Sequence, residues 1–162
     1  YVVYRGVNGK AYTIAGVVQN PDTTSFVDVT AKNVGVKYTY KIRTYKTFGD
    51  VTYNSAFGGE KTGSYVPAVK LKKFTSASAG KAKGTYNKAA KVTGYQIQYA
   101  DNASFKSAKT ANVNGGSVTS KTIKRLTKGK RYYVRVRSFK KIDGKVYYSA
   151  WSGKKSVVIK KR

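Results

Sequence analysis

Apolar and polar residues alternate with period two along most of this chain. Tyr132-Tyr-Val134-Arg-Val136-Arg-Ser-Phe139 puts Tyr132, Val134 and Val136 on one side of an extended strand and Tyr133, Arg135 and Arg137 on the other. Nowhere do apolar residues keep an i, i+3, i+4 spacing for ten residues, so the pattern predicts strands and no helices. In the second half it predicts strands at 71–75, 81–86, 94–100, 106–112, 120–123, 131–140, 145–148 and 154–160. Ile142-Asp-Gly-Lys145 carries the Asp-Gly signal of a tight hairpin, and Phe48-Gly-Asp-Val51 takes the same place in the first half.

Sliding the sequence against itself exposes a repeat with an offset of 94 residues. Tyr1 falls on Tyr95, Val3 on Ile97, Gly35 on Gly129, Tyr38 on Tyr132, Ile42 on Val136 and Arg43 on Arg137. Tyr45 falls on Phe139, Tyr53 on Tyr147, and Ser55-Ala-Phe57 on Ser149-Ala-Trp151. Two modules are therefore expected, 1–66 and 67–162, with Pro67 stiffening the link. Seven or eight short strands in about 95 residues suit a two-sheet β-sandwich. The second module opens some 28 residues ahead of Tyr95, whereas nothing stands ahead of Tyr1. The first module is thus expected to lack its two N-terminal strands, with neighbouring domains upstream of residue 1 or, more rarely, strands donated by another molecule.

Composition narrows the chemistry. The 162 residues include 33 Lys plus Arg against 6 Asp plus Glu, with no His, Cys or Met, and a formal charge of +27. Without imidazole or thiol there is no Ser-His or Cys-His pair, no Cys/His zinc site and no haem or iron–sulfur ligation. The six acids, Asp22, Asp28, Asp50, Glu60, Asp101 and Asp143, are scattered and write no local calcium or magnesium loop. A Ser-Lys dyad would need a lysine depressed by burial in a pocket, and nothing in the sequence builds one. No catalytic residue, metal or cofactor is assigned. Hydrophobic content of 40% suffices for packed cores. No run of 18 apolar residues exists to cross a membrane as a helix.

Leu126-Thr-Lys-Gly129-Lys-Arg-Tyr132 has the spacing of a tyrosine corner, in which a strand-opening Tyr bonds back to the preceding loop. Tyr38 is the corresponding residue in the first copy. With Thr93-Gly-Tyr-Gln-Ile-Gln-Tyr99, Ser104-Phe-Lys-Ser-Ala108 and Gly144-Lys-Val-Tyr-Tyr-Ser-Ala-Trp-Ser152, the chain resembles the fibronectin type III family. In particular it is similar to the Lys- and Tyr-rich repeats of surface proteins of Gram-positive bacteria. The resemblance implies an all-β fold of two immunoglobulin-like sandwiches in tandem, on an extracellular protein of the bacterial cell surface or secreted from it. Two positions depart from the family: Tyr86 stands where its Trp is usual, and Lys32 stands opposite Leu126.

Alternation also sorts the cations. Arg131, Tyr133, Arg135 and Arg137 share an outer face with Trp151, and Lys41, Arg43 and Tyr45 share the corresponding face of the first module. A structural role is the plainer reading of this face, with Arg135 and Arg137 stacked on Trp151, Tyr147 or Tyr148. The net charge asks for more, since about 2 to 8 keeps a small domain soluble. It points to anionic wall polymer or glycan as partner and to a spacer or adhesion role. Lys37-Tyr-Thr-Tyr-Lys-Ile-Arg-Thr-Tyr-Lys46 interleaves rings and cations as single-strand binders do. The charge, however, spreads over the whole chain without any nucleic-acid-binding pattern, which argues against nucleic acid. Other open roles are a module that grips glycan or host protein, with Trp151, Tyr133 and Tyr148 as sugar-stacking candidates, and accessory repeats on a secreted hydrolase.

Overall fold

A computed structural model describes residues 1 to 162 and divides them into two compact units, Tyr1–Tyr65 and Val66–Arg162. Unit 1 contains β1 (Val2–Val7), β2 (Thr13–Val17), β3 (Tyr38–Arg43), β4 (Tyr45–Phe48), β5 (Val51–Asn54) and β6 (Lys61–Gly63). Unit 2 contains β7 (Leu71–Thr75), β8 (Ala82–Tyr86), β9 (Gly94–Ala100), β10 (Lys109–Asn114), β11 (Ser120–Ile123), β12 (Arg131–Ile142), β13 (Lys145–Tyr148) and β14 (Lys155–Val158). There are no helices.

In unit 2 two antiparallel sheets are formed. One runs β10-β9-β12-β13, with β14 also paired to β12, and the other runs β11-β8-β7. Their inner faces share one core around Tyr86, Tyr95, Ile97, Val134, Val136 and Ile159, each no more than 1% exposed. The alternation of β12 is the local cause: a strand with Val134 and Val136 inward must turn Arg135 and Arg137 outward. The β12–β13 hairpin closes through Asp143 (φ 48°) and Gly144 (φ 78°), the two left-handed residues of a type I′ turn. Gly94 cannot carry a side chain, because a Cβ there would lie 2.3 Å from the Val113 carbonyl and against the Phe139 ring.

Tyr86 packs its ring on Tyr95, with centroids 4.7 Å apart. The Tyr95 hydroxyl donates to the Gly116 carbonyl and accepts from the Ala89 amide. The Tyr86 hydroxyl is buried with no hydrogen-bond partner, and burial pushes its ionisation far above the ordinary range. The second copy's β10 opens at Lys109, three residues beyond the predicted start, because residues 102–108 form a turn closed by the Asn102 side chain on the Lys106 backbone.

Unit 1 repeats the register of the larger sheet. Val3 pairs with Ile42 as Ile97 pairs with Val136, Tyr4 with Lys41 as Gln98 with Arg135, and Tyr38 with Gly63 as Tyr132 with Val157. Its sheet runs β2-β1-β3-β6, beside a separate β4-β5 hairpin. Strand β2 departs from the repeat: Val3 pairs with Gly16 where the repeat would give Val17, and a bulge follows between Val3 and Tyr4. Counterparts of β7 and β8 are lacking, so the expected two N-terminal strands are indeed missing from the first sandwich. Residues 26–29, which correspond to β11, form no strand. In unit 2 that strand is held by β8, and without such a partner the backbone has nothing to pair with.

Instead, segment 26–30 crosses the inner face and is pinned by polar contacts. The Phe26 ring fills the space over Gly16, where a Cβ would lie 2.4 Å from it. Asp28 accepts from Arg5 Nη1 at 2.7 Å, from the Tyr40 hydroxyl at 2.9 Å and from both the hydroxyl and the amide of Thr30 at 2.6 and 2.9 Å. Burial alone would raise the Asp28 carboxyl, but these bonds from Thr30, Tyr40 and Arg5 outweigh it and hold the group well below the usual carboxylate range. Burial and the same carboxylate push the Tyr40 phenol up to about 12.

Candidate functional site

The outer face of unit 2 carries a stacked ladder of rings and guanidiniums. Arg135 lies 4.3 Å from the Phe105 ring centre and 4.7 Å from that of Trp151. Arg137 lies 4.3 Å from Trp151 and 3.7 Å from Tyr148. The order across the face is therefore Phe105, Arg135, Trp151, Arg137, Tyr148. Two glutamines on β9 fix the guanidinium planes from the neighbouring strand: Arg135 Nε donates to Gln98 Oε1 at 2.7 Å, and Arg137 Nε and Nη2 donate to Gln96 Oε1 at 3.0 and 2.7 Å.

Trp151 reaches this face because two serines bond to β12 in place of a strand. The Ser149 and Ser152 amides donate to the Ser138 and Val136 carbonyls at 3.0 and 2.8 Å. In return their hydroxyls accept from the Ser138 and Val136 amides at 3.1 and 3.0 Å. All four backbone groups of β12 are satisfied, and the intervening Ala150-Trp151 is thrown outward onto the arginines. Each stacked cation contributes roughly 0.5 to 1 kcal/mol, more where water is excluded. Burial lowers the Arg137 guanidinium from its ordinary value, with the Tyr148 phenol acting in the opposite sense.

Unit 1 builds the same ladder from different residues. Lys41 Nζ lies 4.1 Å from the Tyr12 ring centre and 4.0 Å from that of Phe57, while Arg43 lies 5.0 Å from Phe57 and 5.1 Å from Tyr4. Arg43 also donates to the Tyr4 hydroxyl at 2.6 Å. Phe57 takes the place of Trp151, and Ser55 bonds to both the amide and the carbonyl of Thr44 as Ser149 does to Ser138. Gly58 replaces Ser152, keeping the backbone bond to Ile42 but losing the hydroxyl.

Three residues that alternation grouped with this face take no part in the ring–cation contacts of the ladders. The strand breaks at Thr44, so Tyr45 opens β4 and lines a groove with Tyr1 and Pro21. Arg131 donates to the Ser156 hydroxyl at 3.3 Å instead of meeting a ring. Tyr133 pairs between Ala100 and Ser156. Phe105, Tyr12, Tyr4 and the two glutamines were not singled out from sequence. The glutamines were open to discovery from the outward parity of β9, and Phe57 from its alignment with Trp151, whereas Phe105 and Tyr12 arrive from loops that follow no period.

Both corner tyrosines reach back five residues to positions that the repeat equates. The Tyr132 hydroxyl accepts from the Thr127 amide at 3.3 Å and donates to the Thr127 hydroxyl at 3.4 Å. The Tyr38 hydroxyl accepts from the Asn33 amide at 3.3 Å. No group of three or more acidic side chains converges anywhere in the chain.

No family model matches this sequence, and no curated protein sequence matches it significantly. Solved structures do match. The fn3 domain of human contactin 1 aligns at 17% identity with a TM-score of 0.51, covering 60% of this chain and 81% of that one. The FN1–FN3 segment of chicken CNTN1 aligns at 16% identity with a TM-score of 0.53, covering 99% of this chain and 55% of that one. At such identities the likeness is one of fold. The protein has the architecture of tandem fibronectin type III domains, the first without its two opening strands.

Proposed function

We propose that this chain is a non-catalytic spacer and adhesion segment of an extracellular bacterial surface protein, retained by diffuse attraction to anionic wall polymer such as teichoic acid. One observation carries the reading: the charge of +27 has almost no internal counterweight. Of the six acids, Asp28 is consumed by Arg5 within unit 1, and Asp101 lies 3.6 Å from Lys130 in unit 2. The remaining cations crowd outward, where like-charge repulsion destabilises the fold and attracts polyanions. A protein that tolerates this cost gains long-range attraction without needing a shaped pocket.

Retention on immobilised teichoic acid across a salt gradient tests the reading. Binding at low ionic strength should vanish by 0.5 M salt, where screening acts within about 4 Å. Arg135→Ala combined with Arg137→Ala should reduce retention only slightly, since two charges among many are removed. Complete loss in that double variant would overturn the diffuse-charge reading in favour of a localised site.

A further inference from the structure

The two copies of the module divide the charge unequally. Unit 1 has 8 Lys plus Arg and 4 Asp plus Glu, a net of +4, whereas unit 2 has 25 and 2, a net of +23. At 0.15 M ionic strength charges are screened within about 8 Å, so a polymer lying on one unit feels mainly the cations of that unit. The two acids of unit 2, Asp101 and Asp143, both stand on loops of the larger sheet, at the end of β9 and in the β12–β13 turn. The strands of the smaller sheet, β11-β8-β7, contain none.

Alternation and register define the outer face of that smaller sheet. Ala82, Gly84 and Tyr86 of β8 are buried, which turns Lys83 and Thr85 outward. Lys83 pairs with Thr75 on one side and Thr122 on the other, and Thr85 pairs with Lys73 and Ser120. Two cross-strand rows result, Thr75-Lys83-Thr122 and Lys73-Thr85-Ser120, with Lys72 and Lys81 exposed beside them. No hydrogen bond or ion pair within the chain engages the side chains of these rows. On the larger sheet, by contrast, Arg135 and Arg137 are capped by rings and held by glutamines. Unit 1 has no counterparts of β7 and β8, and so no such face. On the footing of the electrostatic retention proposed above, we infer that the attraction resides in unit 2 and that a linear phosphodiester polymer settles on the outer face of the β11-β8-β7 sheet. The ammonium groups of Lys73 and Lys83 meet its phosphates, and the hydroxyls of Thr75, Thr85, Thr122 and Ser120 donate to phosphate oxygens beside them. A flat face of this kind needs no pocket, and side chains without partners in the chain can follow a flexible polymer.

The test compares three full-length variants, each short of four charges, for affinity to immobilised poly(glycerol phosphate) across a salt series. The first carries Lys72→Gln, Lys73→Gln, Lys81→Gln and Lys83→Gln on and beside the face. The second carries Lys106→Gln, Lys109→Gln, Lys141→Gln and Lys155→Gln around the larger sheet, and the third Lys10→Gln, Lys32→Gln, Lys46→Gln and Lys61→Gln in unit 1. All twelve lysines are exposed, so the variants should fold normally, as unchanged Trp151 emission would show for unit 2. At 0.15 M salt the first should bind about tenfold more weakly or worse, with the slope of log affinity against log salt reduced by about two to four. The second should lose about threefold and the third less than about twofold. Equal weakening in the first and second would remove the face, and equal weakening in the first and third would remove unit 2 as the seat of attraction; either overturns the inference. A wild-type chain that the polymer does not retain refutes electrostatic retention itself, whereas equal losses in all three variants leave that retention standing and strike only its assignment to this face.

Discussion

The two units share one register and differ in what covers it. Val136 and Ile97 are at most 1% exposed, whereas Ile42, at the repeat position of Val136, is 42% exposed. Three apolar side chains of unit 1 are buried, against eighteen of unit 2. Pairing and burial are thus separable: β1 and β3 pair as β9 and β12 do, although the sheet that completes the core is present in only one unit. Unit 1 substitutes a polar clasp, Asp28 with Arg5, Tyr40 and Thr30, for part of the missing apolar cover. That exchange leaves it dependent on a charge, which unit 2 is not.

The largest expected effect breaks the comparison within the cross-strand pairs that the repeat equates, Val3–Ile42 in unit 1 and Ile97–Val136 in unit 2. Ile97→Ala should destabilise unit 2 by about 2 to 5 kcal/mol. Ile42→Ala should change unit 1 by less than about 1 kcal/mol, because its side chain is already half in water. Trp151 is the single tryptophan and lies in unit 2, so its emission in a denaturant titration follows that unit, and amide exchange follows unit 1. Equal losses at the two positions would show that unit 1 has a core as complete as its neighbour's.

Next comes the clasp. Asp28→Asn should lower the protection of unit 1 amides by roughly 1.5 to 3 kcal/mol, the range for hydrogen bonds to a charged group, and leave Trp151 emission unchanged. The pH dependence has the same origin. A carboxyl whose folded pKa is depressed contributes stability that is complete above its unfolded value, about 3.9, and is lost as pH falls below it. Unit 1 exchange should therefore accelerate between about pH 4 and pH 2 while unit 2 holds, and Asp28→Asn should abolish that dependence.

Smaller effects sharpen the picture within unit 2. Arg135→Ala with Arg137→Ala should cost about 1 to 2 kcal/mol and alter Trp151 emission, since two stacked cations leave its ring. Tyr132→Phe should cost about 1 kcal/mol in the melting curve through the lost bonds to Thr127. Tyr86→Phe should be neutral or slightly stabilising, because the hydroxyl it removes is buried without a partner. A loss above about 1 kcal/mol there would point to a bound water on that oxygen.

Much of the fold was legible from alternation and self-similarity. Strands at 71–75, 94–100, 120–123 and 145–148 were read with their observed bounds, and the Asp143-Gly144 turn announces itself by residue type. The repeat places no counterparts of β7 and β8 among residues 1–65, and unit 1 has none there. The departures arise where two distant segments compete. Residues 26–29 had a strand's place in the repeat but no β8 to pair with, and the strand expected to continue through Tyr45 breaks at Thr44, where Ser55 takes over the bonds.

What the sequence determined by itself is which side chains share a face and which strands lie opposite, since a pleated backbone imposes period two wherever it is extended. What only the tertiary structure decided is the company those side chains keep. Phe105 and Tyr12 meet Arg135 and Lys41 from loops, and Asp28 meets Arg5 from 23 residues away. Loop paths follow no period; they are set by whichever packing satisfies the buried polar groups and covers the apolar face, and that is a property of the whole unit.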